Sequence, residues 1–186
     1  MQYHEMLAAI LAELSENAKR VSTEELEKLA DIIPTGKRVF VAGAGRAGFA
    51  ARAFSNRLMH LGLAVSFVGE PTTPAITSDD ILIIGSGSGE TASLVAMAKK
   101  ARSIGAKIAT LTIHPTATIG SLADVVVTIP GATPKSNLAD TAKSIQPMGN
   151  AFEQMCWLVY DVVIMILMDK MKKNEKEMFL LHANLE

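Results

Sequence analysis

Five short runs of β-branched and aliphatic residues recur along this 186-residue chain, four of them without the polar alternation of a half-exposed strand. They are Arg38–Ala42, Ala64–Val68, Asp80–Ile84, Lys107–Thr112 and Asp124–Ile129. A strand that is apolar on both faces has to be covered on both, which is the situation of a parallel sheet between helical layers. Helical periodicity fills the gaps at 46–61, 91–104 and 116–122, so strand and helix alternate and a doubly wound α/β sheet is expected. The exception is Gly69–Asp79, which carries Pro71, Thr72, Thr73 and Pro74 and reads as a loop.

Residues 3–30 precede the sheet as an N-terminal helical arm, with Leu7, Ile10, Leu11, Leu14, Leu26 and Leu29 on one face. Ser22 followed by Glu25 has the spacing of a capping box and splits the arm into two helices. After the sheet, Gly131–Lys143 has almost no periodicity. A long helix is expected over Pro147–Lys173 and a short one over Glu175–His182. Met155–Met168 is apolar on every side, so it should be buried all round, and self-association into a dimer or tetramer is the simple way to bury it. That run is interrupted by Asp161 and is short for a membrane span.

Several classes of function find no footing. Lys and Arg number 18 against 19 Asp and Glu, with no basic stripe for nucleic acid. One cysteine, Cys156, allows no disulfide within the chain, and His4, His60, His114 and His182 have no metal-ligand spacing. The first 20 residues are not those of a signal peptide. A cytoplasmic protein with no metal, no membrane and no nucleic-acid partner is expected.

Two glycine-rich turns compete for the chemistry. Gly43-Ala44-Gly45-Arg46-Ala47-Gly48 follows the first strand, matches the dinucleotide fingerprint, and has Glu70 after the second strand where a ribose ligand would sit. On those residues a nicotinamide enzyme stays open, as does a plain tight turn. The second is Ser86-Gly87-Ser88-Gly89-Glu90-Thr91, after the third strand and opening a helix. Its three hydroxyls and backbone N–H groups at a helix N-terminus make an anion cradle suited to one phosphate. Ser88 and Thr91 as simple helix caps are the bland alternative. A dinucleotide has little use for such a nest at the third strand.

Read together with Arg57-Leu58-Met59-His60-Leu61-Gly62, Val68–Pro74, Pro147-Met148-Gly149, Phe152-Glu153 and His182-Ala183-Asn184-Leu185, these motifs resemble the SIS (sugar isomerase) domain family. Within it they are similar to the hexulose-phosphate isomerases of the ribulose monophosphate pathway of formaldehyde fixation. The likeness runs from about residue 38 to the C-terminus, and the serine loop alone is shared by many SIS domains. It implies a single flavodoxin-like SIS domain over 1–186, with helices in 1–36, the sheet core in 37–130 and helices in 146–186. It also implies a sugar phosphate substrate, no cofactor, and isomerisation of 3-hexulose 6-phosphate to fructose 6-phosphate through an enediol. An SIS module that senses a phosphosugar in a transcriptional regulator is the second reading, though the roughly 30 residues before the first strand offer no recognition helix.

The substrate-binding residues implied are Arg46, Ala47, Ser86, Gly87, Ser88, Gly89, Glu90 and Thr91; Ala47 stands where many relatives carry Ser, so only its backbone is available. Glu153 is the expected base, because a carboxylate set beside Phe152, Met155 and Trp157 loses water and takes a proton more readily. As an ordinary acidic residue in a helix's first turn it would simply favour the dipole. His60 reads either as a helix C-terminal histidine or as catalytic. His182, near the chain's end, is implied as a catalytic histidine that enters from its own or a neighbouring subunit.

Overall fold

The computed structural model describes residues 2–131 and 144–185. The elements in chain order are α1 (Tyr3–Ala18), α2 (Thr23–Ile32), a 3₁₀ turn (Ile33–Thr35), β1 (Val39–Gly43), α3 (Gly45–His60), β2 (Val65–Phe67) and β3 (Ile81–Gly85). There follow α4 (Ala92–Ile104), β4 (Lys107–Thr112), α5 (Thr118–Leu122), β5 (Val125–Thr128), α6 (Asn150–Lys170) and α7 (Glu175–Phe179). Each expected strand and helix is present, with ends shifted by a few residues. Gly69–Asp79 has no helix. All of the Gly131–Lys143 stretch except its first residue lies outside the described residues.

The five strands pair in parallel in the order β2-β1-β3-β4-β5. Alternate side chains divide between two cores. Val39, Val41, Ile81, Ile83, Ala109 and Leu111 face a core completed by α2, α3 and α6. Phe40, Ala42, Leu82, Ile84 and Ile108 face a second one completed by α4 and α5. Two apolar faces are what the unalternating runs require. The order reverses between β1 and β3: the chain leaves β1 toward β2 on one side and leaves β3 toward β4 on the other, so a crevice opens above the carboxyl ends of these two strands.

Ser22 caps α2, accepting from the Glu25 N–H at 3.4 Å, but the Glu25 carboxylate does not close the box. It crosses instead to β5, where it accepts from the Thr128 N–H at 2.7 Å. A stronger tie holds the opposite end of the central strands. Asp80, fully buried, takes a fork from Arg38 at 3.0 and 2.7 Å, and also the N–H and hydroxyl of Thr77 at 2.7 and 2.8 Å. Burial alone would push the Asp80 carboxyl up; these donors outweigh burial and hold it at about 2.

Within one chain α6 is buried on one face only. Its inner face (Met155, Cys156, Val159, Tyr160, Val163, Leu167) packs against the sheet and α3, while Trp157, Leu158, Val162 and Met165 are exposed on the other. At 21 residues and a mean hydropathy of 1.6, α6 is also long and apolar enough to cross a membrane, which Met155–Met168 alone did not suggest; half of that apolar stretch is buried inside the chain.

Because the folded Asp80 carboxyl lies below its ordinary 3.8, its contribution is fully present above about pH 4 and fades as pH falls toward 2. Asp80→Asn should cost about 2 kcal/mol at pH 7, and its urea midpoint should converge on that of the parent as pH is lowered through that window. A gap of constant size would show that the charge is not what stabilises.

Candidate active site

The crevice holds a cleft of about 230 Å³, lined by residues 44–47, 85–88, Thr91, Leu94, Met148, Gly149, Phe152 and Glu153. Three helices point their N-termini into it: α3 from β1, α4 from β3, and α6. None takes a side-chain cap, so hydrogen-bond donors at all three ends remain directed at the cleft. Their dipoles add a positive potential there.

Glycine makes this convergence possible. Gly43 and Gly85 are register partners at the ends of the two central strands. A Cβ on Gly43 would lie 2.9 Å from the Gly48 Cα, so α3 can follow β1 this closely only without side chains at both positions. A Cβ on Gly85 would lie 2.9 Å from the Tyr160 hydroxyl of α6. The glycine fingerprint after β1 is thus accounted for by helix–strand packing. Glu70, the ribose candidate, is engaged by Arg52, whose guanidinium lies 4.0 Å from the Phe67 ring centroid.

On the α4 side, Ser86, Gly87, Ser88 and Thr91 line the cleft as the sequence suggested. Ser86 Oγ is buried with no hydrogen-bond partner among the described residues, and Thr91 is the N-cap residue of α4 without a capping bond from its hydroxyl. Ser88 Oγ accepts from the Glu90 N–H at 3.2 Å rather than capping the helix. The bland reading of a capping motif is therefore not what forms. Gly89 and Glu90, also expected at the ligand, do not line the cleft. Gly89 backs onto Ala117, and the Glu90 carboxylate accepts from the Thr118 N–H at 2.6 Å, which holds it below the usual carboxylate range. These two residues brace the loop against α5.

On the α6 side, Glu153 lies in the first turn with its side chain 21% exposed. Its Oε2 is buried and accepts no well-formed hydrogen bond from the described residues, although Arg46 Nη1 is 3.1 Å away; the guanidinium also engages Asn150. The structure thus brings Arg46, Ala47, the serine loop and Glu153 together in one cleft.

It does not bring His60 or His182 there within one chain. They stack on each other, centroids 5.2 Å apart, in a separate cavity with Arg57, Asp161 and Glu175. From Arg46 to His60 the helix rises by about 20 Å. Burial, then Arg57, then His182 lower the pKa of His60 and favour its neutral form.

Sequence reasoning missed Leu94, Met148 and Tyr160. Tyr160 is two helical turns below Glu153 on the same face, a spacing that could have flagged it. It stacks on Phe54 at 4.3 Å with its hydroxyl buried and unpartnered among the described residues. Burial, helped by Cys156, pushes its phenol well above the ordinary range; burial, helped by Glu153, does the same to the Cys156 thiol. Both stay neutral. Among the described residues no cluster of His, Cys, Asp and Glu is placed to hold a metal.

A polar crevice at the switch point of an open parallel sheet, with a hydroxyl loop at a helix N-terminus, defines the class of α/β domain that binds small phosphorylated ligands. The chain belongs to the SIS domain family, whose model matches residues 32–157. It is 47% identical over 186 residues, the whole of both chains, to the 3-hexulose-6-phosphate isomerase of Bacillus subtilis (strain 168). To that of Mycobacterium gastri it is 39% identical over 180 residues, covering 97% of this chain and 89% of the relative. A solved Methanococcus jannaschii protein, whose structure infers a function of 3-hexulose-6-phosphate isomerase, is 34% identical with a TM-score of 0.83. The match covers 98% of this chain and 99% of that one.

Since Gly85 faces the Tyr160 hydroxyl, Gly85→Ala should destabilise by about 1–3 kcal/mol. Tyr160→Phe, which removes an orphaned buried hydroxyl, should be neutral or stabilising by up to about 1 kcal/mol. The double variant should recover part of the loss in a denaturation cycle; strict additivity would mean that the two sites do not meet.

Proposed function

We propose that the chain interconverts 3-hexulose 6-phosphate and fructose 6-phosphate, the step that follows formaldehyde condensation in the ribulose monophosphate pathway. The observation that carries this reading is the placement of Glu153. Its carboxylate, with one oxygen buried and not hydrogen-bonded among the described residues, faces the hydroxyl loop across a small cleft. A phosphate held by Ser86, Ser88, Thr91 and the α4 N-terminus would leave the sugar carbons extending toward that carboxylate. The names of the full-length relatives support the same substrate.

The chemistry then follows from the residues. Glu153 removes the proton from C2, the electron pair forms the C2–C3 double bond, and the C3 carbonyl becomes an enediolate oxygen. The C2 hydroxyl proton passes to the C3 oxygen, and return of the carbon-bound proton to C3 then leaves a carbonyl at C2 and a hydroxyl at C3. One base suffices if the enediol is cis and both carbons present the same face. Arg46, poised beside Glu153, and the N–H groups of the α3 turn are the donors for the developing negative charge. Substrate oxygens drawing Arg46 away would free the carboxylate to act as a base.

Coupling the protein to a hexulose-phosphate synthase with ribulose 5-phosphate and formaldehyde should yield fructose 6-phosphate, and no product would defeat the isomerase reading. Glu153→Gln should lower kcat by on the order of 10²–10⁴ with KM little changed. A variant keeping a third of normal turnover would remove Glu153 as the base.

The remaining site residues are proposed to act across subunits in a dimer or tetramer. The exposed face of α6, with Met165 68% exposed, continues past Trp157 and Leu158 to Leu7, Leu11 and Phe49, an apolar groove sharing Arg46 and Glu153 with the mouth of the cleft. A second copy covering that groove would bury it, and His60 with His182 can serve a cleft only from another copy. Co-refolding Glu153→Gln with His182→Ala should then restore activity through hybrid sites that carry neither substitution. No restoration would leave the histidines outside catalysis.

A further inference from the structure

Two residues other than glycine have positive φ among the described residues. Lys172, at φ 54, lies just past the end of α6, where helices commonly finish in the left-handed region. Met148, at φ 58, precedes a helix, so no helix ending asks for it. It is the first central residue of a turn from Pro147 to Asn150, in which the Asn150 N–H donates to the Pro147 carbonyl at 3.3 Å. Gly149 follows at φ −105 and ψ 20. A φ of 58 lies in the left-handed region, which glycine enters freely and a residue with a Cβ enters only at a cost. This turn has a glycine, but one position late: methionine takes the strained place and glycine the relaxed one.

That conformation displays the Met148 side chain at the mouth of the cleft. It is 72% exposed and lines the cleft beside Phe152 and Glu153. An apolar side chain held in water by a strained backbone gains nothing where it stands, and strain of this sort concentrates where a site needs it. An unbranched thioether adapts well to the C–H surface of a sugar.

We propose that Met148 closes over the carbon chain of the bound sugar phosphate and keeps water from Glu153 while the proton passes from C2 to C3. The inference rests on the isomerase reading above. The reaction has a reason to want it: a protonated carboxyl open to solvent exchanges its proton, and an enediolate open to solvent is protonated without regard to face.

Turnover in deuterium oxide tests this, because deuterium at C3 of the fructose 6-phosphate formed records exchange. Met148→Gly removes the side chain and the strain together. Its Tm should be unchanged or raised by about 2–4 °C, with kcat/KM down by about tenfold and C3 deuterium raised severalfold. Met148→Leu keeps the apolar bulk and should keep the parent's exchange. Any of four results overturns the proposal: unchanged kcat/KM and exchange in Met148→Gly, a lowered Tm in that variant, a Met148→Leu protein that exchanges as freely as Met148→Gly, or complete exchange in the parent. A parent that turns over no hexulose phosphate sinks the isomerase reading instead. The closure is then read by calorimetry with fructose 6-phosphate, whose affinity Met148→Gly should weaken about 5–10-fold, and equal affinity sinks it.

Discussion

The whole site hangs on two glycines lying side by side. Gly43 and Gly85 end the two central strands in register, and the α3 backbone and the Tyr160 hydroxyl come so close above them that Cβ atoms would not fit. From Gly43 the chain turns at once into α3, whose Gly48 packs back on the strand end. Over Gly85 lies the Tyr160 hydroxyl, which places the inner face of α6 on the sheet at one height. Since α4 starts just beyond the same strand end, three helix N-termini meet over one point. A side chain at either glycine would lift a helix and widen the cleft before any catalytic residue changed.

That geometry explains why so little charge is needed. A phosphorylated ligand meets N–H groups and hydroxyls fixed by the backbone, which need no rearrangement when it binds. Among the described residues the only full charges lining the cleft are Arg46 and Glu153, and they face each other. Beneath them the helix is apolar, and its polar atoms, the Cys156 thiol and the Tyr160 phenol, are kept neutral by burial. The charged work at the base of the sheet, between Arg38 and Asp80, is of another kind: it clamps the start of β1 to the start of β3, far from the ligand.

Much of this was legible in the residues. Apolar runs without alternation announced strands covered twice, and both cores are there. The serine loop, Arg46 and Glu153 were each identifiable as hydroxyl nest, cation and carboxylate in a helix's first turn. Other residues misled because their type does not say what they touch. Glu90 looked like part of the cradle, but its carboxylate turns away to the Thr118 N–H. Glu25 had capping-box spacing, yet it spans 103 residues to Thr128. Helix α6 is apolar on every side, and a single chain covers only its inner face.

By itself, then, the sequence determined the local chemistry: which segments must be strands or helices, where turns need glycine, and which side chains can donate, accept or hold charge. These follow from periodicity and residue type over a few neighbours. Only the tertiary structure decided which of those groups share a cleft. It put Glu153 beside Arg46, more than 100 positions away in the chain, and it put His60 and His182 together in a different cavity. It also gave Met148, not Gly149, the positive φ. Such outcomes depend on strand order and on how closely helices can approach the sheet, and those are properties of packing that no local pattern contains.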